Sequence, residues 1–448
     1  MFRLPVFREP LHVGRPNIGD REKLREKIDD ALDRRWLSSG PLVRELEERV
    51  AALAVTAHAV ATCNATVALQ LAARATGVQA GAEVIVPSFT WVATPHALDW
   101  IGLTPVFCDV DEETAGIDPA HAEKLVGPAT GAILGVHAFG RPCPIDELTE
   151  LADRHGLPLL FDAAHALGST HRGRPVGGFG SAEVFSFHAT KFINSFEGGA
   201  LVTDDPRVAE RARAMRNFGI GEDREVISSG TNAKMSEASA AMGLVSLERV
   251  DALIEQNTRN HRLYEEGLAG LPGISVRGQE PGERANHQYL VVEIDQAEAG
   301  VHADQVHAVL ERHNVLARRY FHPCCHQLAP YSDRPETHAP CRCRAPRHWP
   351  SGYWHCRPAR SSARRRSTAS AASSAGPWRP AARTAPRARR TEKTGTPAAG
   401  GGRATTGRRR DAWPTHVLKR LVCGCRTKRS CSITSSGPRP TSAKPVAV

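Results

Sequence analysis

The segment 157-LPLLFDAAHALG-168 holds the pattern that decides the fold. Its apolar run, residues 157–161, predicts a short buried strand. Asp162 follows that strand directly. A buried carboxylate is costly unless it has a cationic partner. The segment therefore predicts a strand of a sheet and a group with a chemical role at the carboxyl end of that strand.

Apolar runs of the same kind recur on both sides of this segment. They span residues 59–62, 83–86, 105–108, 132–136, 182–187 and 199–203. Amphipathic segments of helical length separate most of these runs, and this alternation is typical of an α/β fold with a mainly parallel sheet between helices. Ligands bind at the carboxyl ends of the strands in such sheets. The residues that follow each strand are therefore the candidates for a functional role.

Two amphipathic helices are predicted ahead of the first strand. The first begins at about Asp20, and its apolar stripe consists of Leu24, Ile28, Leu32 and Trp36. The second follows Gly40 and has Pro41 at its first position, where proline is tolerated. Its apolar stripe consists of Leu42, Leu46, Val50 and Leu53.

The sequence predicts three parts. A large α/β domain with the N-terminal helices covers residues 1–235, and a connector helix at 236–268 leads to a smaller α+β domain that ends near residue 335. Strands at 288–294 and 315–320 and a helix at 303–313 are expected in this small domain. Residues 336–448 form an Arg/Pro/Ala-rich tail that we expect to be disordered.

The composition of the C-terminal segment differs from that of the rest of the chain. The last 118 residues contain 26 of the 58 Lys and Arg but 4 of the 48 Asp and Glu, and only 7 Leu, Ile, Val and Phe. Such a segment cannot bury a core. It nevertheless holds 6 of the 11 Cys and 4 of the 7 Trp, which disordered tails normally avoid. Two interpretations follow: a frameshifted reading from about Pro340, which would leave the small domain incomplete, or a genuine basic extension.

The remaining composition excludes several classes of protein. The first 330 residues carry 32 basic and 44 acidic residues, so the net charge of +10 comes from the tail and does not indicate nucleic-acid binding. The cysteines outside the tail suggest no disulfide framework, and Cys341 and Cys343 lack the partners of a metal site. We expect a cytoplasmic protein, because neither a secretory signal nor a membrane-spanning run is present in the sequence.

A second candidate group lies at the end of another predicted strand. Lys191 comes four residues after the run 182–187, near the end of that predicted strand. An acid and a lysine at neighbouring strand ends are what pyridoxal phosphate requires, because the carboxylate keeps the pyridine nitrogen protonated and the amine forms a Schiff base. The alternative interpretation is a buried Asp–Lys salt bridge with a structural role.

Three further features fit a cofactor site. Ala65 and Thr66 stand where a strand turns into a helix, so their N–H groups and the Thr66 hydroxyl are candidates to bind a phosphate. Ser186, five residues before Lys191, offers another hydroxyl, and Trp91 offers an aromatic face for a cofactor ring. Each feature alone is also compatible with an ordinary turn, a buried serine or core packing.

Seven segments, which occur in the same order along the chain as in a known family, carry a family resemblance. They are Ser38-Ser39-Gly40-Pro41, Cys63-Asn64-Ala65-Thr66, residues 87–94 (PSFTWVAT), 105–109 (PVFCD), 162–168 (DAAHALG), 186–191 (SFHATK) with Glu197-Gly198-Gly199, and 232–237 (NAKMSE). With these the chain resembles the DegT-type nucleotide-sugar aminotransferases, a fold-type I branch of pyridoxal-phosphate enzymes, over about residues 10–335.

The resemblance implies a role for each candidate residue. Lys191 would be the Schiff-base lysine, Asp162 the partner of the pyridine nitrogen, and Trp91 the stacking residue. Ala65, Thr66 and Ser186 would hold the phosphate. His165 stands where many members have Gln, near the phenolic oxygen of the cofactor, and an imidazole can make the same kind of hydrogen bond. Asn232 would reach the phosphate from the other subunit, which implies a homodimer.

The resemblance implies a reaction that moves an amino group from an amino acid, L-glutamate, to a keto-deoxysugar attached to a nucleoside diphosphate. Arg216 and Lys234 are candidates for the diphosphate, with an ordinary surface charge as the alternative. Other family outcomes are a sugar dehydratase, against which Lys191 argues, or an aminohydroxybenzoate synthase. The non-enzymatic alternative is an anionic partner bound by the basic tail.

Overall fold

A seven-stranded sheet forms the centre of the protein in a computed structural model, which describes residues 7–12, 16–111, 113–334, 337, 341–344 and 355–358. The strands are β1 (His58–Thr62), β2 (Glu83–Pro87), β3 (Thr104–Cys108), β4 (Thr130–Val136), β5 (Leu159–Asp162), β6 (Ala182–Ser186) and β7 (Gly199–Thr203). Their spatial order is β1-β7-β6-β5-β4-β2-β3. Strand β7 runs antiparallel to both neighbours and the other pairs are parallel, so the predicted mainly parallel sheet is confirmed.

Helices cover both faces of this sheet. They are α1 (Arg21–Asp33), α2 (Pro41–Ala54), α3 (Ala65–Ala75), α4 (Ala93–Trp100), α5 (Pro119–Leu125), α6 (Ile145–His155), α7 (Pro206–Arg216), α8 (Glu237–Leu247) and α9 (Val250–Leu268). Because successive side chains of a strand point to opposite faces, Val84 and Val86 pack with α3, α4 and α7, whereas Ile85 packs with α5 and α6. Helices α2 and α8 pack on the latter face beside β1, β6 and β7.

Helix α2 begins at Pro41 as predicted, and its N-terminus is capped by a residue far away in the sequence. Gly40 has no side chain to supply a cap. Instead, the buried carboxylate of Glu237, at the start of α8, accepts hydrogen bonds from the N–H groups of Gly40, Leu42 and Val43 at 2.9, 2.9 and 3.1 Å. This contact joins two of the sequence segments that carry the family resemblance.

The predicted N-terminal helix is shorter than expected. Helix α1 ends at Asp33, so Trp36 lies beyond it, and Leu32 and Trp36 are about half exposed rather than buried along one stripe. The expected single helix over 236–268 is also divided: α8 ends at Leu247, and α9 begins at Val250.

The C-terminal part contains shorter strands than the sequence predicts. Val292–Ile294 pairs with Ile274–Val276, and Val315–Leu316 pairs with Leu11–His12 near the N-terminus. The rest of the predicted strands, residues 288–291 and 317–320, is irregular, and three of its side chains, Tyr289, Arg318 and Tyr320, line a cavity. The remaining elements are α10 (Gln296–Ala299), α11 (Ala303–Arg312), α12 (Ala329–Ser332), the 3₁₀ turns Ala138–Gly140 and Cys325–Gln327, and the short strands Thr170–His171 and Arg174–Pro175.

Most of the predicted tail lies outside the described residues. Within it the structure describes two short antiparallel strands, Cys341–Arg344 and His355–Pro358. In the part of the chain that the structure describes, no helix is both long enough and apolar enough to cross a bilayer.

Candidate active site

A cavity of about 260 Å³ lies at the carboxyl ends of the central strands. Seven of the eight site residues predicted from the sequence line it: Ala65, Thr66, Trp91, Asp162, His165, Ser186 and Lys191. The eighth, Asn232, is exposed and does not line the cavity; its backbone forms a bridge with Asn217. The sheet therefore brings together residues that are separated by up to 126 positions in the sequence.

Asp162 ends β5, and its side chain accepts hydrogen bonds from two donors. Its Oδ2 accepts a 2.7 Å hydrogen bond from the Thr94 hydroxyl, and its Oδ1 accepts a 3.1 Å bond from the Ala164 N–H. Burial raises the pKa of Asp162, while the Thr94 hydroxyl and then the Ala164 N–H oppose that shift. Lys191 also opposes it through its positive charge.

Lys191 lies within the same cavity and is 9% exposed. Burial lowers the pKa of its amine to about 8, although the negative charge of Asp162 acts in the opposite direction. The amine donates a 3.3 Å hydrogen bond to the Tyr289 hydroxyl. Among the ion pairs within 4.0 Å between described residues, none joins Lys191 to Asp162. Each group has its own hydrogen-bond partner, so the two charges face a common space without forming a direct salt bridge.

The His165 ring is neutral and its tautomer is fixed by a backbone group. Its Nδ1 accepts a 3.2 Å hydrogen bond from the Phe139 N–H, so the ring proton lies on Nε2. Burial, and then the charge of Lys191, lower the pKa of His165 well below its usual value. The ring lies against Tyr289 with 4.5 Å between centroids. His165 can therefore donate one hydrogen bond from Nε2.

Helix α3 begins at the cavity. Asn64 caps it by accepting a 2.9 Å hydrogen bond from the Val67 N–H. The first N–H groups of a helix have no acceptor within the helix, so the N–H groups of Ala65 and Thr66 are available to bind a ligand. A side chain at Gly199 would place its Cβ 2.6 Å from the Ala65 nitrogen. Glycine at position 199 thus allows β7 to pack directly against this helix N-terminus.

An aromatic wall, formed by Trp91, Tyr289 and Tyr320, lines part of the cavity. Trp91 is half exposed, and its ring meets Tyr320 edge-on at 6.0 Å between centroids. Tyr320 in turn meets Tyr289 edge-on, also at 6.0 Å. Phe321 and Arg318 line the cavity beside them.

Several of these residues were missed by sequence reasoning. Thr94 lies in one of the seven matched segments but was given no role, although its hydroxyl lies 2.9 Å from that of Thr90, four residues earlier. Tyr289, Arg318 and Tyr320 come almost a hundred residues or more after Lys191 in the sequence. No motif in the sequence marks them, because an irregular backbone brings them to the cavity.

The two predicted diphosphate-binding residues have other partners. Arg216 is mostly buried, and its guanidinium donates to Glu47 at 2.5 Å and to the carbonyl oxygen of Ala61 at 2.7 Å. Lys234 lies over the ring of Phe218, 4.4 Å from the ring centroid. Neither residue lines the cavity. Arg216 is therefore a structural ion-pair residue, not the surface charge that the alternative interpretation expected.

Comparison with known proteins agrees with this geometry. A transaminase of Escherichia coli, dTDP-4-amino-4,6-dideoxy-D-glucose transaminase, is 34% identical over 325 residues, which are 71% of this chain and 86% of that protein. The crystal structure of DesI, determined in the presence of its TDP-sugar product, is similar with a TM-score of 0.72 at 56% identity, covering 75% of this chain and 85% of DesI. DesV of S. venezuelae, in complex with a ketimine intermediate, has a TM-score of 0.66 at 34% identity, over 71% of this chain and 87% of DesV.

These similarities confirm the expected fold, that of the fold-type I aminotransferases. The model of the DegT/DnrJ/EryC1/StrS aminotransferase family matches residues 19–349, which include every predicted site residue. The chain therefore belongs to the DegT/DnrJ/EryC1/StrS aminotransferase family.

Proposed function

We propose that this protein is a pyridoxal-phosphate-dependent transaminase that moves an amino group from an amino acid, L-glutamate, to a keto-deoxysugar linked to a nucleoside diphosphate. The observation that carries the proposal is the separation of Lys191 from Asp162. Both are buried at one cavity, yet each has its own hydrogen-bond partner rather than the other. A structural salt bridge would bring the two charges into contact, whereas a cofactor held between them requires the space.

The residues present fit pyridoxal phosphate. The free N–H groups at the start of α3 and the hydroxyls of Thr66 and Ser186 offer donors for a phosphate, and the close approach of Gly199 to Ala65 keeps side chains out of that cradle. Asp162 offers a carboxylate for the ring nitrogen, and the exposed face of Trp91 offers a surface for stacking. When bound, the cofactor supplies an electrophilic carbonyl carbon and a ring that accepts an electron pair.

The chain's own residues then account for proton movement. Because its pKa is lowered to about 8, the Lys191 amine is partly neutral near pH 7 and can both accept and donate a proton at Nζ. Asp162 would hold a proton on the ring nitrogen, and the hydrogen bonds from Thr94 and Ala164 orient this side chain and favour its charged form. His165 would donate a hydrogen bond from Nε2 to an oxygen of the cofactor, because its Nδ1 is occupied as an acceptor and burial lowers the pKa of the ring.

A direct test uses the sugar nucleotide that the Escherichia coli relative's name describes. Purified protein loaded with pyridoxal phosphate should convert dTDP-4-amino-4,6-dideoxy-D-glucose and 2-oxoglutarate to the keto-sugar and L-glutamate. Glutamate formation is measured by a coupled dehydrogenase, with Lys191→Ala as the inactive control. Glutamate formation at an equal rate in Lys191→Ala would overturn the proposed function.

We also propose that the active unit is a homodimer in which Asn232 completes the partner's site. Asn232 is exposed and away from its own cavity, and the segment before it exposes apolar side chains: Phe218, Val226 and Ile227 are 51, 72 and 59% exposed. Exposed apolar side chains of this kind typically mark an interface between proteins.

The dimer is tested by complementation. Lys191→Ala and Asn232→Ala should each be inactive alone. When they are mixed and allowed to exchange subunits, about a quarter of the wild-type activity should return, because half of the dimers are mixed and each has one intact site. A mixture with no activity, together with a monomeric mass in sedimentation, would contradict the shared site.

A further inference from the structure

The cavity needs a cation for the substrates. A nucleotide sugar carries a diphosphate and an amino acid carries carboxylates, and both must approach the reacting amine. Of the described residues that line the cavity, Lys191 and Arg318 are the two with Lys or Arg side chains. The proposed function assigns Lys191 to the cofactor. Arg318 is then the remaining fixed positive charge at the cavity.

Arg318 is attached to the aromatic wall of the site. Its Nη1 donates a 2.9 Å hydrogen bond to the Tyr320 hydroxyl. The Tyr320 ring contacts both Trp91 and Tyr289, edge-on in each case. One end of the guanidinium is thereby held beside the proposed cofactor position, while its other N–H groups stay available.

Neighbouring residues show how unusual this arrangement is. Arg319, the next residue, forms an ion pair with Asp304 and does not line the catalytic cavity. Arg141 is paired with Glu280 and Glu113, and Arg277 with Glu293. In contrast, no described carboxylate forms an ion pair with Arg318 within 4.0 Å. Arg318 is exposed and lines the cavity, so it carries a positive charge there that no ion pair with a described carboxylate offsets.

We propose that Arg318 binds the anionic group of the substrate and that Tyr320 positions its guanidinium. The planar guanidinium matches two oxygens of a carboxylate or a phosphate. The inference rests on the proposed function, in which the amino acid and the sugar nucleotide occupy the cavity in turn. One arginine can therefore serve a carboxylate in one half-reaction and a phosphate in the other.

The experiment compares Arg318→Gln with the matched control Arg319→Gln. Calorimetry on the holoenzyme measures the Kd of two probes, dTDP and 2-oxoglutarate. Loss of a charge-assisted, bidentate contact should raise the Kd of at least one probe by about tenfold or more. The probe that loses affinity identifies the source of the anion. Arg319→Gln should change neither Kd by more than about twofold, and Arg318→Lys should recover part of the loss.

The result is distinguishable from a failure of the proposed function. Binding of dTDP requires no turnover, so it is also measured on the protein without cofactor. If wild-type protein fails to retain pyridoxal phosphate, the proposed function fails, and the Kd comparison still decides the role of Arg318. If both probes bind Arg318→Gln with wild-type affinity, and its circular dichroism and melting are those of the wild type, the assignment of Arg318 is wrong.

Discussion

The Thr94 hydroxyl donates a 2.7 Å hydrogen bond to Oδ2 of Asp162, and both side chains are buried. This contact opposes the effect of burial on the carboxyl, because a donor stabilises the charged form. Thr94 lies in α4 and Asp162 ends β5, so the contact forms only when the helix packs at the end of the sheet. In the proposed function, Thr94 would therefore act on the chemistry through Asp162.

Replacing Thr94 by Val should reduce activity without disturbing the packing, because Val has nearly the same shape. The loss of a hydrogen bond to a charged group, worth about 1.5–3 kcal/mol, further raises the pKa of Asp162. We expect turnover at pH 7 to fall by about tenfold or more, and the acid limb of the pH–activity profile to move to higher pH. Thr94→Ser, which keeps the hydroxyl, should behave as the wild type; an acid limb that does not move in Thr94→Val would contradict this role.

Lys191 should react with pyridoxal phosphate at a pH where ordinary lysines do not. Its pKa is lowered from 10.5 to about 8, so the reactive neutral amine appears on raising the pH through about 8. Below this value the rate of cofactor attachment, followed by absorbance, should fall about tenfold per pH unit. Borohydride trapping should label the Lys191 peptide. The Lys23 peptide serves as the internal reference, because the hydrogen bond that Lys23 donates to Glu248 raises the pKa of Lys23. Equal labelling of the two peptides at pH 7 would refute the prediction.

Asp162→Asn should have opposite effects on two measurements: attachment of the cofactor to Lys191 should persist, and catalytic turnover should fall. The negative charge of Asp162 raises the pKa of Lys191, so its removal should move the midpoint of attachment below pH 8. Attachment therefore persists. Turnover should nevertheless fall by orders of magnitude, since each ~1.4 kcal/mol of lost transition-state stabilisation costs a factor of ten. Turnover near that of the wild type would show that the carboxylate has only a structural role.

The sheet and the two central residues were predictable from the sequence for a physical reason. Buried strands need continuous apolar runs, and all seven predicted runs form strands whose observed ends lie within two residues of the prediction. Asp162 was found because a carboxylate directly after such a run is conspicuous. Lys191 was identified in the same way, since it follows the strand that ends at Ser186.

Other parts of the site and fold were not predictable, because they depend on contacts between distant segments. Tyr289 lies in a predicted strand, but its side chain lines the cavity, where its hydroxyl accepts a hydrogen bond from the amine of Lys191. The break between α8 and α9 occurs at Glu248 and Arg249, without a glycine or proline to mark it. Glu237, which caps α2, lies 197 residues after Gly40 in the sequence, so no local sequence pattern indicates this cap.

Glu237→Ala should destabilise the fold strongly. The substitution leaves three buried N–H groups at the start of α2 without their acceptor, and each unsatisfied group costs about 1–3 kcal/mol. We expect a loss of at least ~3 kcal/mol and a Tm lower by several degrees in a calorimetric scan. Glu248→Ala is the matched control: it removes an exposed ion pair with Lys23 and should cost less than ~1 kcal/mol. Equal melting of the two variants would show that Glu237 does not cap the helix in solution.

The C-terminal segment should be removed by protease without loss of the cavity. Tyr331 is fully buried, its ring packs edge-on against Phe107 at 5.1 Å, and Thr337 is buried as well. Cleavage between Ala329 and Thr337 would break these contacts, so the first stable fragment should end beyond Thr337 and at or before Arg344. The segment after this point has too few large apolar side chains to form a core. Mass spectrometry after limited trypsin digestion identifies the end of the fragment.

The same segment tests the two interpretations of the tail. If the coding DNA has been read in a shifted frame from about Pro340, the chain as written should be poorly soluble or weakly active, because apolar surface that should be covered stays exposed. Correcting the frame should then restore a stable dimer with higher activity. A genuine basic extension predicts the opposite: full activity as written, and a tail that resists trypsin despite its 26 Lys and Arg. Sedimentation and activity assays on both forms distinguish the two outcomes.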